Sequence, residues 1–430
     1  MLKRQIILSC ISFIVVFALM VPVIAADWPN WRGPNRNGIS EETNWSPKAL
    51  SGSPNILWET NLGRGHSAFS IKGNLVYTMG QKEVKTATDS LFTDIIYCIN
   101  AKTGKKVWRY AYSSTRRRWP GPGATPVIDG SVVYVLSRDG ALFCFNATNG
   151  RVIWKRDLIK DNLTQMPGPG WGFCGSPVIE NKLLIMNAGK SGLALNKKTG
   201  KVVWKSEPES GGTATPVIFN SGDKRIAAIA SSNTLYAVDV KTGEVQWDHR
   251  WSADADPSII NNQILLIGGH RGRGSKLLAI KKGKPKIVWE TRNARHSFPT
   301  PVILNGYAYG FGWVNRKQPL QCIDVKTGEV KWSKTISKLG DYGSLIAANG
   351  KLIILNSDGE LIIAEASPKA YKVISSAKLF RLKTFGSYPE GDPNCCWTAP
   401  ILSNGKIYAR TTYGALVCVD MKTQSSASTD

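Results

Sequence analysis

The sequence predicts an all-β protein, an eight-bladed β-propeller built from four-stranded antiparallel blades. Two observations carry that prediction. The first is a repeated phrase, in which a short apolar strand ending on Asp or Asn is followed by a Lys-Thr-Gly turn and a strand carrying tryptophan. Leu235–Trp247 is one copy, and Cys322–Trp332 and Leu195–Trp204 are others. Self-similarity at a period of about 40–50 residues marks a propeller or an array. The second is an unfinished phrase at each end of the chain. Asn55-Ile56-Leu57-Trp58 is a tryptophan strand without a beginning, and Leu416–Asp420 is a third strand without a tryptophan strand after it. Joining them closes a ring and leaves no blade incomplete, so Ile56–Thr60 is expected to be the outer strand of the blade completed by Cys396–Asp420.

Each unit opens on a short apolar strand, often behind Thr-Pro or Ser-Pro, as at Val127, Val178, Val217 and Val302. A turn follows, such as Asp129-Gly130, Asn305-Gly306, Asn349-Gly350 or Asn404-Gly405, and these dipeptides favour the type I′ hairpin. A second strand, a loop and a third strand lead to the Lys-Thr-Gly turn, which makes four short strands per unit. The repeat tryptophans are Trp58, Trp108, Trp154, Trp204, Trp247, Trp289 and Trp332, with Tyr371 expected in the next equivalent place. An indole there is expected to dock one blade on its neighbour rather than to touch a ligand.

The ends of the 430-residue chain lie outside the repeats. Lys3 and Arg4, the apolar run from Ile6 to Met20 and the small residues at Ala25 and Ala26 read as a secretory signal peptide, residues 1–26. No other stretch approaches the ~18 apolar residues that span a bilayer. The expectation is an exported protein, periplasmic or secreted, monomeric and without a membrane span once the signal is cleaved. Residues 27–54 are rich in Pro, Gly and Asn and read as an irregular arm pinned by its tryptophans. Residues 55–423 form the propeller and 424–430 a polar tail.

Lys and Arg number 55 against 31 Asp and Glu, a formal charge of +24. That excess predicts an anionic ligand or acidic envelope proteins as partners. The export signal and the lack of a dense Lys/Arg run argue against nucleic acid. Cys98, Cys144, Cys322 and Cys418 share one repeat position, where sister repeats carry Ala237 and Ala279. They are expected to be small buried hydrophobes, not a disulfide framework.

The third strand ending on Asp, with Lys-Thr-Gly-(Glu/Lys)-Val-x-Trp behind it, resembles the tryptophan-docking repeat of the PQQ-like β-propellers. That superfamily includes quinoprotein alcohol dehydrogenases and the outer-membrane assembly factor BamB. The resemblance covers roughly Asn55 to Asp420, and Trp28-Pro29-Asn30-Trp31-Arg32-Gly33-Pro34 is similar to the opening of exported PQQ-like repeat proteins. It implies the fold more strongly than the chemistry. Two departures stand out. A BamB-like lipid anchor requires a cysteine at the cleavage site, and Cys10 lies inside the apolar segment. The dehydrogenases hold Ca2+ or a lanthanide on a Glu/Asn pair with an Asp base, and no motif here matches that set.

Function is therefore sought in the loops that enter first strands and those between second and third strands, which share one face of the ring. They bring Arg64, His66, Arg116, Arg117, Arg118, Trp119, Trp171, Cys174, Arg295, His296 and Trp397 to the channel mouth, with Arg138, Lys190, Arg271 and Arg410 from the second set. Guanidinium forks and indole faces suit a planar, multiply anionic ligand. Arg116, Arg118, Trp119, Trp171, Arg271, Arg295, His296 and Trp397 are the candidate binding residues. Asp254 and Asp256, two apart, could hold a metal or do acid–base work, or could pair with Arg250 and Arg271. Cys395-Cys396 is similar to the adjacent-cysteine pair of some quinoprotein dehydrogenases. The histidines show no zinc spacing, so no metal site is expected from the motifs. The leading expectation is a non-enzymatic binding or scaffold propeller without a cofactor. The alternative that the resemblance implies is a PQQ-dependent alcohol dehydrogenase using pyrroloquinoline quinone with Ca2+.

Overall fold

The computed structural model describes residues 27–86, 90–115, 119, 121–168, 170–251, 255–268, 274–281, 283–294, 300–314, 317–338, 343–380 and 396–422. They form eight antiparallel sheets arranged as the blades of a ring, and no described residue lies in an α-helix. The signal segment and the polar tail lie outside the described residues. Blades 1 to 7 span residues 70–114, 127–157, 178–205, 217–250, 258–291, 302–334 and 343–378 in chain order. Blade 8 takes three strands from residues 401–420 and its outer strand, Ile56–Asn61, from the other end of the chain. Trp58 faces Cys418 and Thr60 faces Leu416 in that closing ladder.

The local chemistry explains the hairpins. Asn305-Gly306, Asn349-Gly350 and Asn404-Gly405 all have both residues at positive φ, the type I′ geometry that matches strand twist. Asp129-Gly130 departs from this expectation. Asp129 pairs with Val132, so the turn residues are Gly130 and Ser131, and of these Gly130 has positive φ. That is the pattern of a type II′ turn, with glycine first.

The repeat tryptophans lock neighbouring blades. The indole N–H of Trp58 donates to the Ala101 carbonyl at 3.0 Å, Trp108 to Ala147 at 2.7 Å and Trp154 to Lys197 at 3.1 Å. Trp204 donates to Val240 at 2.8 Å, Trp289 to Val325 at 2.9 Å and Trp332 to Ser367 at 2.8 Å. The rings of Trp58, Trp108, Trp154, Trp204 and Trp289 lie so close to the turn of the next blade that glycine is required there. A Cβ on Gly243, which has φ +79°, would stand 2.7 Å from the Trp204 ring. The shared cysteine position is also explained. In blades 1, 2, 6 and 8 the cysteine is buried between the tryptophan on one strand and a tyrosine on the other, as in Tyr77–Cys98–Trp108. In blade 5 the equivalent residue is Leu277, which faces Trp289, rather than Ala279.

The structure corrects the expectation for Tyr371. In blade 7 the residue in register with the docking tryptophans is Ser375, opposite Ile363. Tyr371 precedes the strand and packs on Trp332 at 5.9 Å. The missing lock between blades 7 and 8 is supplied by the arm. Ser46 N–H donates at 2.6 Å to the Met421 carbonyl, the counterpart of the carbonyls that accept from tryptophans elsewhere. Ser375 donates to Pro47 O, and Trp45 is 7% exposed in the core of the seam.

The rest of the arm crosses the end of the ring where first strands finish. Trp28 exchanges two backbone hydrogen bonds with Ile71 of blade 1, and Ile128 N–H of blade 2 donates to Pro29 O. Arg36 donates to Ile179 O of blade 3, while Ile39–Ser40 pairs in parallel with Ala347–Ala348 of blade 7. Glu42 accepts from the backbone N–H groups of Asn404 and Gly405 in blade 8. Among the described residues no helix is long and apolar enough to cross a membrane.

Candidate functional site

The first strands surround an axial cavity of about 180 Å3. Segments leading into first strands supply its walls, among them His66, Trp171, Cys174, Thr215 and Trp397, and the arm residues Trp28, Trp31 and Arg32 line it as well. Because the arm crosses the far end of the ring, these three residues form a floor.

An aromatic group stands on the mouth side. Trp119 and Trp171 stack at 5.0 Å with planes 15° apart, and Trp397 lies 5.6 Å from Trp171 and 6.0 Å from Trp119. His66 joins them, 5.6 Å from Trp171 and 5.2 Å from Trp397. Three of the residues expected from the sequence, Trp119, Trp171 and Trp397, are thus brought together. Arg116, Arg118, Asp254, Arg271, Arg295 and His296 lie outside the described residues, as do Arg117 and Cys395. Cys396 is buried.

Asp256 is placed at the floor, before the first strand of blade 5. Its carboxylate accepts from the Trp31 indole at 2.6 Å and the Thr215 N–H at 2.7 Å. The cation that bears on it among the described residues is Arg32 of the arm, whereas the expectation named Arg250 and Arg271, of which Arg271 lies outside the described residues. Arg32 is half-buried and donates to the Thr300, Pro301 and Asn37 carbonyls. Burial raises the Asp256 carboxyl above its usual range, against the stabilising pull of Trp31 and Arg32. Burial likewise lowers Arg32 to about 10, with Asp256 opposing. The carboxylate is committed to holding the arm.

Two expected rim cations prove to be interior. Arg138 and Arg410 are both 0% exposed. Arg138 donates to the Gly121 and Trp119 carbonyls at 3.1 and 3.0 Å, fixing the segment that carries Trp119. Arg410 donates to the Ser67, Met79 and Gly63 carbonyls. Burial lowers Arg410 to about 10. Other rim cations are paired: Arg64 lies 3.6 Å from Glu83, and Lys190 lies 2.5 Å from Glu207.

His66 is the cavity's distinctive polar residue. Both ring nitrogens are buried and neither has a hydrogen-bond partner among the described residues. Burial, reinforced by the positive charges of Arg410 and Arg138, pushes the imidazole down to about 3, so it is neutral at pH 7. The arm residues Trp31 and Arg32 were missed as site residues. Their signal was present in Trp-Pro-Asn-Trp-Arg, but spacing within the arm does not reveal what it covers.

Fold and site define the class: a PQQ-like β-propeller with an arm-floored axial cavity. The family described as outer membrane protein assembly factor BamB matches residues 92–334 and 235–429, and the chain belongs to it. Its similarity to BamB of Yersinia pestis is 21% identity over 286 residues, covering 59% of this chain and 69% of that protein. Among solved structures, BamB from Moraxella catarrhalis superposes with a TM-score of 0.59 at 15% identity, covering 86% of this chain and 98% of that one. A europium-containing methanol dehydrogenase superposes with a TM-score of 0.63 at 11% identity, over 92% of this chain and 98% of that chain. At these identities the structural likeness shows the fold alone.

The described residues do not fit pyrroloquinoline quinone with a divalent ion. No three His, Cys, Asp or Glu side chains among them converge on a metal position. The cavity, about 180 Å3, falls below the roughly 300–1,000 Å3 of ordinary small-molecule sites. Trp119 and Trp171 lie against each other and leave no slot between them for a tricyclic ring.

Proposed function

We propose that this protein is a non-enzymatic scaffold of the cell envelope, acting beside outer membrane protein assembly partners and binding them through acidic surfaces. The family match over residues 92–429 is the observation that carries the reading. The geometry supports it, because four charged groups that the described residues place around the cavity are engaged in structural hydrogen bonds. Asp256 and Arg32 hold the arm, and Arg138 and Arg410 hold backbone carbonyls. The net charge of +24 gives long-range attraction to acidic partners, which salt weakens.

The test is deletion of the gene in the native host, followed by quantitation of outer-membrane β-barrel proteins. The expected result is their depletion, restored by the full-length chain, and cross-linking of that chain to the assembly machinery that weakens as salt rises. Unchanged barrel-protein levels overturn the reading. Dye-coupled alcohol oxidation by protein titrated with pyrroloquinoline quinone and Ca2+ overturns it in favour of a dehydrogenase.

A further inference from the structure

The axial cavity contains polar groups that the scaffold reading does not use. Among the described residues, His66 presents two buried nitrogens without partners, and Ser344, which also lines the cavity, has a buried hydroxyl without one. Buried polar groups are satisfied in the great majority of cases, so an unpartnered imidazole and hydroxyl lining one cavity point to a ligand. Around them the walls are apolar, with Trp171, Trp397, Ala68, Ala214, Leu345 and Ile401. Size then limits the occupant. An apolar cavity of roughly 150 Å3 holds a single benzene ring, and this one measures about 180 Å3.

Charge selects further. Among the described residues, the charged groups that bear on His66 are the guanidiniums of Arg138 and Arg410; Arg138 donates to the Gly121 and Trp119 carbonyls, and Arg410 to carbonyl and hydroxyl oxygens. Asp94 stands behind Arg138. Cys174 is on the cavity wall, and Asp256 with Arg32 lies at the floor. Two buried cations beside a neutral imidazole make that end of the cavity favourable to negative charge.

We propose that the axial cavity binds a small organic monocarboxylate with a one-ring apolar body, its carboxylate received by His66 and Ser344 and its ring packed on Trp171 and Trp397. The bound carboxylate supplies the counter-charge that His66 lacks. The imidazole then takes up a proton from solvent and donates it to the carboxylate as a charge-assisted hydrogen bond. The site does not depend on the scaffold reading.

Benzoate is the probe, titrated into the full mature chain by calorimetry and tryptophan fluorescence between pH 5.5 and 8, with benzyl alcohol and toluene as uncharged controls. Saturable one-site binding is expected, at least tenfold tighter for benzoate than for benzyl alcohol. Proton uptake on binding should appear as a dependence of the heat on buffer ionisation. Affinity should fall by up to about tenfold per pH unit as His66 loses its proton in the complex. His66→Phe is expected to abolish benzoate binding while toluene still enters. His66→Gln keeps a donor and an acceptor and should bind benzoate more weakly, without the pH dependence. Equal affinity for benzoate and benzyl alcohol, no saturable binding at millimolar benzoate, or unchanged benzoate affinity in a folded His66→Phe protein each overturns the proposal. Barrel-protein levels in the host bear on the scaffold reading alone.

Discussion

The guanidinium of Arg410, in the last blade, donates a 2.7 Å hydrogen bond to the Met79 carbonyl in the first. It also reaches Ser67 O at 3.0 Å, Thr78 Oγ1 at 3.1 Å and Gly63 O at 3.2 Å, so one buried cation stitches the seam where the ends of the chain meet. Removing it strands several buried acceptors, each costing about 1–3 kcal/mol when unpaired. Arg410→Met is expected to lose about 3 kcal/mol in urea unfolding, and Arg410→Lys less. An unchanged midpoint in both would mean that the seam does not rely on this residue.

Glycines at two kinds of turn should respond differently to alanine. Gly243→Ala forces a Cβ to 2.7 Å from Trp204 at φ +79°. Left-handed strain of about 1–2 kcal/mol then adds to overpacking of about 1–3 kcal/mol. Gly130 has φ +60° and nothing within 4 Å of its Cβ position, so Gly130→Ala should cost only the strain. Equal losses in thermal unfolding would contradict the docking role of the indole.

Acid should weaken the fold through His66. Its folded value is near 3, whereas the unfolded imidazole titrates near 6.5. The contribution is therefore fully present above pH 6.5 and is lost as pH falls toward 3, at about 1.4 kcal/mol per unit. His66→Phe should flatten the slope of urea stability between pH 6.5 and 5. A slope identical to that of the unmodified protein would refute the assignment.

Asp94 works in the opposite direction. Burial raises its carboxyl from 3.8 to about 6, against hydrogen bonds from Ser114 and Gln81 and the charge of Arg138. The folded state thus holds a proton that the unfolded chain has released, and stability falls as pH rises from about 4 to 6. Asn keeps the Oδ1 acceptor for Gln81 and Ser114 and carries no charge. Asp94→Asn is expected to stabilise the protein by about 1–3 kcal/mol at pH 7 and by little at pH 4. Destabilisation at pH 7 would show that the ionised carboxylate is needed.

Trp45→Ala tests the substitute lock between blades 7 and 8. Deleting a buried indole costs about 3–5 kcal/mol. The loss should be local, with amide hydrogen exchange quickening at Val417 and Val419 before blade 4 responds. Uniform loosening of the whole ring would argue against a seam-specific role.

The repeat, the blade count and the ring closure were legible because they rest on periodicity and on complementary fragments at Trp58 and Cys418. What escaped was supplied from far away in sequence. Tyr371 looked like the missing tryptophan because an aromatic stands near the expected offset. The true register puts Ser375 there, and its partner Pro47 lies 328 residues earlier. Arg138 and Arg410 read as rim cations because charge after a second strand usually faces water. Their partners are backbone carbonyls, which sequence does not display. The three mouth tryptophans were readable from strand order alone, whereas the arm's floor was not.

The arm and the outer strand of blade 8 also set the timing of folding. Both precede the other blades in the chain, yet both bind residues 401–421, which follow them. During synthesis the Ile56–Asn61 edge and Trp45 of the arm therefore wait for their blade 8 partners, exposed to pairing with other chains. The propeller closes only when nearly its whole length is available, so its folding ends on a high-contact-order step.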